Sequence, residues 1–252
     1  MARHLYIVTG ASRGMGAALA EQLLAPDHTL LCISRSRSEA LAAKAQAGAL
    51  HCEQMALDLA EPVVAAQRLH GWLTALDGRA LASATLINNA AALTPIGPID
   101  AAGDAQLSQA LRVSLEAPLR LSAAFLRATR AWAARKRVLN ISSGLGRRPM
   151  AGQASHCAAK AGLDHLSRAL ALDEANRPNG AAVVSLAPGV IDTGMQACLR
   201  AGDPAGLPEQ AHFIGLKERG QLTSPADAAA RVLTWLARPD FGANPVADVR
   251  DA

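Results

Sequence analysis

The chain has 252 residues, of which 50% are hydrophobic and 18% are charged. This composition supplies enough apolar side chains for one packed domain, which excludes disordered, collagen-like and coiled-coil proteins. Lys and Arg number 25 and Asp and Glu number 21, so the net charge is +4, and aromatic residues make up 3%. A nucleic-acid binder needs a basic surface or stacked aromatic rings, so we expect no nucleic-acid partner.

The four cysteines form no Cys-x-x-Cys pair and show no zinc-site spacing. We therefore expect no metal, and free, mostly buried thiols of the kind that persist in a reducing cytosol. The first apolar run, residues 5–8, is too short for a secretion signal, and no uncharged apolar stretch approaches the roughly 18 residues of a membrane span. These features predict a cytoplasmic protein without a membrane anchor.

Short apolar runs alternate with helical patterns along the chain. The predicted strands are residues 4–9, 29–34, 49–57, 84–88, 137–142, 181–187 and 246–249. The predicted helices are residues 14–24, 38–47, 62–75, 104–133, 152–175 and 225–237. This alternation predicts an α/β fold, namely a single Rossmann domain over residues 1–252 with a doubly wound, seven-stranded parallel sheet and helices on both faces.

Residues 189–222 interrupt the alternation with many Gly and Pro residues and weak periodicity. Ligands of doubly wound domains bind at the carboxyl ends of the strands, and long loops of compact domains are usually functional. We therefore predict a mobile segment over the substrate site, the alternative being a surface excursion without function.

The first strand ends in Thr-Gly-Ala-Ser-Arg-Gly-Met-Gly at positions 9–16, and a helix follows directly. Glycines here permit a tight turn and a close approach to a pyrophosphate, and the helix N-terminus offers free N–H groups. Because a strand precedes the motif and a helix follows it, a dinucleotide-binding loop is favoured over a purely structural turn. The predicted cofactor contacts in this loop are Gly10, Ser12, Arg13, Gly14, Met15 and Gly16.

The end of the second strand indicates which dinucleotide binds. NAD sites place Asp or Glu there to bind the ribose 2′-hydroxyl, whereas this chain has Ser34 and Arg35 and no carboxylate before Glu39. Arg35 and Arg13 could together bind a 2′-phosphate, because guanidinium groups match phosphate geometry. The sequence therefore favours NADP(H), with an ordinary solvated charge as the alternative role of Arg35.

Four motifs together resemble the short-chain dehydrogenase/reductase family. They are the glycine motif at 9–16, Asn-Asn-Ala-Ala at 88–91, Asn-Ile-Ser-Ser at 140–143, and Pro-Gly at 188–189 followed by Thr193. Within the family, the last third of the chain is most similar to sepiapterin reductase and the related bacterial benzil reductases. The resemblance implies further cofactor contacts at Asp58, Leu59, Asn88, Ala90, Gly189, Ile191, Thr193 and Met195. It also implies substrate contacts at Gly189 and at Asp248, an acidic anchor that could equally be an Asp without this role.

The resemblance further implies a catalytic Ser, Tyr and Lys and an Asn in a proton relay. The Tyr stands four residues before the Lys and thirteen after the Ser. Ser143 and Lys160 occupy their positions, so His156 stands at the Tyr position, and Ser114 stands at the Asn position. The only tyrosine, Tyr6, lies in the first predicted strand, where we expect it in the core.

Two functions are compatible with these residues. In the first, the protein is an NADPH-dependent carbonyl reductase acting on a ketone, a diketone or a pterin side-chain carbonyl. Ser143 then binds the carbonyl oxygen, Lys160 binds the nicotinamide ribose, and His156 replaces the phenol as proton donor. We expect such an enzyme to be slow or most active in acid, because Lys160 and an oxidised nicotinamide disfavour protonated imidazole. In the second, it is a catalytically impaired NADP(H)-binding protein, a sensor or an assembly partner.

The two long predicted helices, 104–133 and 152–175, resemble those that pair across a two-fold axis in this family. The resemblance implies a homodimer or homotetramer with an isologous interface. An apolar stripe through Leu115, Leu119, Leu121, Phe125 and Leu126 is compatible with such an interface and also with plain core packing.

Overall fold

The computed structural model describes residues 3–251, which contain one parallel sheet of seven strands. The strands are β1 Arg3–Thr9, β2 His28–Ser34, β3 His51–Ala56, β4 Leu81–Asn88, β5 Arg135–Ile141, β6 Ala181–Ala187 and β7 Val246–Asp248. Their order is β3-β2-β1-β4-β5-β6-β7. The direction of winding reverses between β1 and β4, and a doubly wound sheet opens its ligand crevice at that point. The predicted seven-stranded parallel sheet is confirmed.

Nine α-helices connect and cover the strands in the described part of the chain. They are α1 Gly14–Gln22, α2 Glu39–Ala47, α3 Pro62–Thr74, α4 Asp104–Leu111, α5 Ala117–Thr129, α6 Ala154–Ala175, α7 Gly194–Arg200, α8 Gln210–Glu218 and α9 Pro225–Ala237. None of the helices in residues 3–251 is long and apolar enough to cross a lipid bilayer.

The hydrophobic core is divided between the two faces of the sheet. On β1, Val8 packs with the cluster that α1 and α9 complete, whereas Leu5 and Ile7 pack with the cluster that α3 and α5 complete. Successive side chains of a strand point to opposite faces, so a strand that is covered on both faces must be apolar throughout. This explains the continuous apolar runs in the sequence.

The helix predicted over residues 104–133 is helical from residue 104 to residue 129, but it is not regular throughout. A π-helical turn, Arg112–Glu116, separates α4 from α5, and α5 ends at Thr129. Pro118 follows this turn, lacks an N–H, and its ring would collide with the carbonyl of Ser114 in a regular helix. A π-helical turn relieves this collision by inserting a residue.

The segment 189–222 is less irregular than its sequence indicates, because it contains α7 and α8. The two helices are too short, at seven and nine residues, to show a clear period. Their apolar side chains Leu199 and Phe213 pack with Leu207 and Met150 in a third hydrophobic cluster.

The expectation of mostly buried thiols was partly wrong, and the apolar stripe is mainly core. Only Cys32 is buried among the four free cysteines, and Cys198 is exposed. In the apolar stripe, Leu121, Phe125 and Leu126 lie in the core, Leu119 is exposed and Leu115 is half-buried. Most of the stripe therefore packs within the domain. Tyr6 packs against the core from β1, as expected.

Candidate active site

The loop between β1 and α1 has a shape that requires glycine. Gly10 and Gly14 have φ values of +69° and +57°, in the left-handed region that other residues rarely adopt. At Gly16, a Cβ would collide with the carbonyl oxygen of Gly10. The three glycines of the motif are therefore required by backbone conformation or by space.

This glycine loop lies against two other predicted motifs. The hydroxyl oxygen of Thr9 accepts N–H bonds from Asn89 at 2.9 Å and from Ala90 at 3.0 Å. A Cβ on Gly14 would lie 3.5 Å from the Cγ2 atom of Thr193. Motifs that are about 80 and 180 residues apart in sequence thus meet at one edge of the sheet.

The first turn of α1 fits a pyrophosphate. No side chain caps this helix, and its first turn holds no acidic residue. The N–H groups of the first turn therefore lack intrahelical partners and carry the positive end of the helix dipole. Together with the left-handed glycines, which allow a close approach, these groups could hold the diphosphate of a dinucleotide.

The chain beyond β2 presents guanidinium groups. Arg35 and Arg13 are exposed, and neither forms an ion pair within residues 3–251. The Ser34 hydroxyl donates to the Ser36 carbonyl at 2.8 Å and so shapes the turn. Beyond β3, Asp58 is exposed and Leu59 is buried. These positions fit a 2′-phosphate at the arginines and an adenine beside residues 58–59.

The predicted catalytic residues converge where β5 meets α6. His156 and Lys160 are buried one helical turn apart, on the same face of α6. The Lys160 Nζ donates to the Ile141 carbonyl at 2.6 Å, and Ile141 lies two residues before Ser143. The Ser143 oxygen accepts the N–H of Leu145 at 3.2 Å, which leaves the hydroxyl hydrogen available as a donor.

Burial governs the charge of these groups. It lowers the pKa of His156 from 6.5 to about 4, and the positive charge of Lys160 contributes in the same direction. Burial also lowers the pKa of Lys160 to about 8, against the opposing effect of Asp164. The sequence predicted the effect of Lys160 on the imidazole, but desolvation is the larger cause. The imidazole is therefore neutral at pH 7, and its Nδ1 has no partner among the described residues.

Ser114 and Asn88 make internal contacts. Ser114 lies in the π-helical turn, where its hydroxyl accepts the N–H of Ala92 at 3.0 Å and donates to the Ala92 carbonyl at 3.2 Å. The Asn88 amide donates to Asn140 at 2.8 Å. The structure thus gives Ser114 an anchoring contact with the loop after β4, and its part in a proton relay stays a prediction.

Asp248 lies at the end of β7, opposite Ala187 in the sheet, but its carboxylate is already paired. Arg250 donates to both oxygens, at 2.7 and 2.6 Å, and Arg147 lies 3.9 Å away. Arg250 keeps the pKa of this carboxyl well below its usual range. A substrate that binds Asp248 would have to displace Arg250 or share the carboxylate with it.

The remaining cofactor residues lie near the start of the 189–222 segment. Ile191 pairs with Thr223, and Met195 is half-buried in the first turn of α7. Asp192, between them, contacts Lys217 of α8 at 2.5 Å and Arg200 of α7 at 3.9 Å. The segment predicted to cover the substrate is therefore joined by ion pairs to residues predicted to bind the cofactor.

Sequence reasoning missed four residues behind the candidate site, namely Ser142, Arg147, Asp164 and Ser185. Asp164 follows Lys160 by four residues, the spacing that also separates Lys160 from His156. That spacing could have placed Asp164 on the catalytic face of the helix. Nothing in the sequence indicated the other three.

The whole arrangement can be compared with known proteins. A sequence profile described as short chain dehydrogenase matches residues 4–204. The chain belongs to the short chain dehydrogenase family. Among curated relatives of this short chain dehydrogenase, benzil reductase ((S)-benzoin forming) of Bacillus cereus is 34% identical over 235 residues, which cover 93% of this chain and 94% of that protein. Sepiapterin reductase of Meriones unguiculatus is 31% identical, with 97% and 95% covered.

Solved structures of other family members agree with this short chain dehydrogenase. A short-chain dehydrogenase/reductase from Burkholderia vietnamiensis is 36% identical, with a TM-score of 0.68 and 99% and 98% of the two chains covered. A metagenomic short-chain oxidoreductase in complex with NADP is 27% identical, with a TM-score of 0.73 and 98% and 95% covered. The resemblance to benzil and sepiapterin reductases is confirmed, and the chain is an oxidoreductase by family.

Proposed function

We propose that this protein is an NADPH-dependent carbonyl reductase that transfers hydride to a ketone, a diketone or a pterin side-chain carbonyl. The observation that carries the proposal is the hydrogen bond from Lys160 to the Ile141 carbonyl at 2.6 Å. It fixes the catalytic helix to the end of β5, next to Ser143. Lys160 and Ser143 stand at the family positions that bind the nicotinamide ribose and the substrate oxygen, and this bond brings the two residues close together.

The preference for NADPH is supported by charge. Arg35 and Arg13 are exposed, and Glu39, the first carboxylate after β2, lies in the first turn of α2. A 2′-phosphate would find two guanidinium partners there. The solved NADP complex of a relative is compatible with this preference.

The chain's own residues then have separate roles. A bound NADPH would supply a hydride to the carbonyl carbon. The Ser143 hydroxyl donates a hydrogen bond to the carbonyl oxygen and stabilises the negative charge that develops on it. Lys160, protonated below its pKa of about 8, binds the hydroxyl groups of the nicotinamide ribose.

The alcohol product requires a proton on its oxygen, and His156 is the titratable group at the phenol position. With a pKa of about 4, about one molecule in 1,000 carries the imidazolium at pH 7. If imidazolium donates the proton, the rate rises about tenfold for each pH unit from 7 to 5. With an ordinary, solvated histidine the rate would reach half of its maximum near pH 6.5. The burial of His156 moves this midpoint toward pH 4.

The substrate class follows from two observations. The segment 189–222 is built on apolar side chains, because its Leu199, Leu207 and Phe213 form a cluster with Met150. The relatives include reductases of benzil and of sepiapterin. An apolar or aromatic carbonyl compound fits such surroundings, and an activated diketone depends least on a strong proton donor.

The test is NADPH consumption with benzil, sepiapterin and small 1,2-diketones between about pH 4 and 8, a range that brackets the shifted and unshifted histidine pKa values. Native protein is compared with two variants, His156→Tyr and His156→Phe, which differ from each other only in the phenol hydroxyl. We expect native turnover to rise toward acid. We expect His156→Tyr to be about 10²–10⁴-fold faster at pH 7, because general acid catalysis has that magnitude, and His156→Phe to lose the acid rise. Equal rates for all three at every pH would show that position 156 transfers no proton.

A catalytically impaired NADP(H)-binding protein is the second candidate, and the neutral state of His156 favours it. This candidate predicts tight NADPH binding with no native turnover at any pH. Activity in His156→Tyr alone would then show an intact site that lacks its proton donor.

A further inference from the structure

A buried carboxylate lies behind the candidate active site and takes no part in the chemistry above. Asp164 is 2% exposed and stands on α6 one turn after Lys160. Its Oδ1 accepts hydrogen bonds from the hydroxyls of Ser142 at 2.5 Å and Ser185 at 2.6 Å. Its Oδ2 lies 3.3 Å from Nε of Arg147.

These contacts connect the catalytic helix with the turn after β5, with β6 and, through Arg147, with β7. Ser142 directly precedes Ser143, and Ser185 lies in the neighbouring strand β6. Arg147, on the turn after β5, also donates to the Ala247 carbonyl of β7 at 2.7 Å. Asp164 is the only group among the described residues that contacts all three side chains.

The turn after Ser143 packs directly on the helix at this point. A Cβ on Gly146 would lie 2.9 Å from Oδ2 of Asp164 and 2.9 Å from the Lys160 carbonyl oxygen. The backbone that carries Ser143 therefore rests against the turn of α6 that carries Lys160. The contacts of Asp164 therefore lie between the turn that carries Ser143 and the helix that carries Lys160.

We propose that Asp164 is a positioning residue for the reductase, which fixes Ser143 against Lys160 and balances the buried positive charge of Lys160. This inference rests on the proposed function for its effect on turnover. Its effect on cofactor binding can be measured without any carbonyl substrate.

The surrounding charges explain why a carboxylate is needed. The titratable groups that interact with Lys160 are His156 and Asp164 on its own helix. Arg147 on the turn after β5 contacts Asp164 and lies 3.9 Å from Asp248, which is paired with Arg250. Asp164 is the anion that raises the pKa of Lys160. Without its charge, Lys160 would lose the group that raises its pKa, so this pKa would fall below about 8, and Arg147 would lose its partner at 3.3 Å.

Glu174 provides a matched control for the substitution Asp164→Asn. It lies near the other end of the same helix, is 4% exposed, and is paired with Arg130 at 2.6 and 2.8 Å. Both Asp164→Asn and Glu174→Gln should lower the stability of the protein. Only Asp164→Asn should lower kcat, by about tenfold or more, with little change in the KM for the carbonyl substrate. Only this variant should also move the alkaline limb of the pH profile of kcat down by about one pH unit. Equal pH profiles for the two variants would overturn the proposal.

Two serine variants provide a second test if Asp164→Asn does not fold. Ser142→Ala and Ser185→Ala each remove one hydrogen bond to the same oxygen of Asp164, but only Ser142 adjoins Ser143. We expect Ser142→Ala to lower kcat severalfold more than Ser185→Ala. An equal loss in both would show that Asp164 stabilises the fold and does not position Ser143.

Fluorescence titration of NADPH at several pH values separates this proposal from the proposed function. If native protein binds NADPH but reduces no carbonyl, the proposed function fails. The proposal for Asp164 still stands in that case if NADPH binding weakens at a lower pH in Asp164→Asn than in native protein, while Glu174→Gln behaves as native protein does. It fails if the pH dependence of binding is unchanged.

Discussion

His156 is a buried imidazole whose surroundings oppose a positive charge, and this lowers the stability of the folded protein in acid. Its pKa is about 4 in the folded chain and about 6.5 when the chain is unfolded. Between these values the unfolded chain binds more protons, so the free energy of unfolding falls as pH drops from about 6.5 through 4. The limit of this loss is about 3 kcal/mol, because a difference of one pKa unit between the two states corresponds to about 1.4 kcal/mol.

We therefore predict that His156→Gln loses less stability between pH 7 and 4.5 than native protein does. Urea unfolding at the two pH values measures the difference. His165→Gln is the control, because His165 is an exposed imidazole on the same helix. The same acid loss in native protein and in His156→Gln would show that His156 is not the buried titrating group.

Arg35 carries the predicted preference for NADPH over NADH. It is exposed directly after β2, where it can donate to a 2′-phosphate. We expect Arg35→Asp to weaken NADPH binding about 10- to 100-fold, since a hydrogen bond between charged groups contributes about 1.5–3 kcal/mol. NADH binding should change little or improve. Dissociation constants from fluorescence titration measure both.

Arg37→Asp is the matched control for this prediction, because Arg37 is equally exposed two residues further on and the charge change is identical. An equal loss of NADPH affinity in both variants would mean that only the general positive potential of this loop matters. A loss confined to Arg35→Asp identifies a direct phosphate contact.

Residues that act through local spacing could be predicted from the sequence, and residues that act through distant contacts could not. The sequence placed Lys160 and His156 one turn apart, and the structure has them so. It gave no indication that Arg147 meets the Ala247 carbonyl, 100 residues away. Such a contact depends on the packing of β5 and β7 on the two sides of β6, which no local pattern encodes.

At the scale of elements, the strands were predictable because the sheet is covered on both faces and their sequences are therefore apolar throughout. The helices of the segment 189–222 were not. α7 and α8 form only where Leu199 and Phe213 pack with Met150, which stands ahead of α6. Their stability comes from tertiary contacts, as is usual for helices of this length.

Gly152 shows how closely this segment packs on the catalytic helix. It has a φ of +74°, and a Cβ there would collide with the carbonyl oxygen of Gly206. Gly206 belongs to the loop between α7 and α8. We predict that Gly152→Ala displaces this loop and raises KM for the carbonyl substrate at least severalfold, with a strain of about 1–3 kcal/mol at the backbone.

Steady-state kinetics and limited proteolysis of the 189–222 segment measure this effect. Gly71→Ala is the control, because Gly71 lies in α3 and a Cβ there would meet nothing within 4 Å. We expect it to leave KM unchanged. An unaltered KM and cleavage pattern in Gly152→Ala would show that the packing of Gly206 on Gly152 does not position the segment.

At the scale of the whole molecule, we expect the predicted homodimer or homotetramer to use apolar side chains that the fold leaves exposed. Leu172 on α6 is 75% exposed, and Leu111 on α4 and Leu119 on α5 are exposed as well. α4 packs against α6, so Leu111 and Leu172 belong to neighbouring helices. An isologous interface would bury each of these leucines twice, once from each protomer.

We therefore expect Leu172→Glu to convert a dimer into monomers. Each buried leucine contributes about 1.5–3 kcal/mol, so removing it from both protomers costs the dimer about 3–6 kcal/mol, before the cost of burying two carboxylates. Sedimentation velocity over a range of concentrations measures the change. Val63→Glu is the control, because Val63 is an exposed apolar residue on a different helix, α3. An unchanged dimer in Leu172→Glu would place the interface elsewhere, and dissociation by both variants would indicate a general effect of charge.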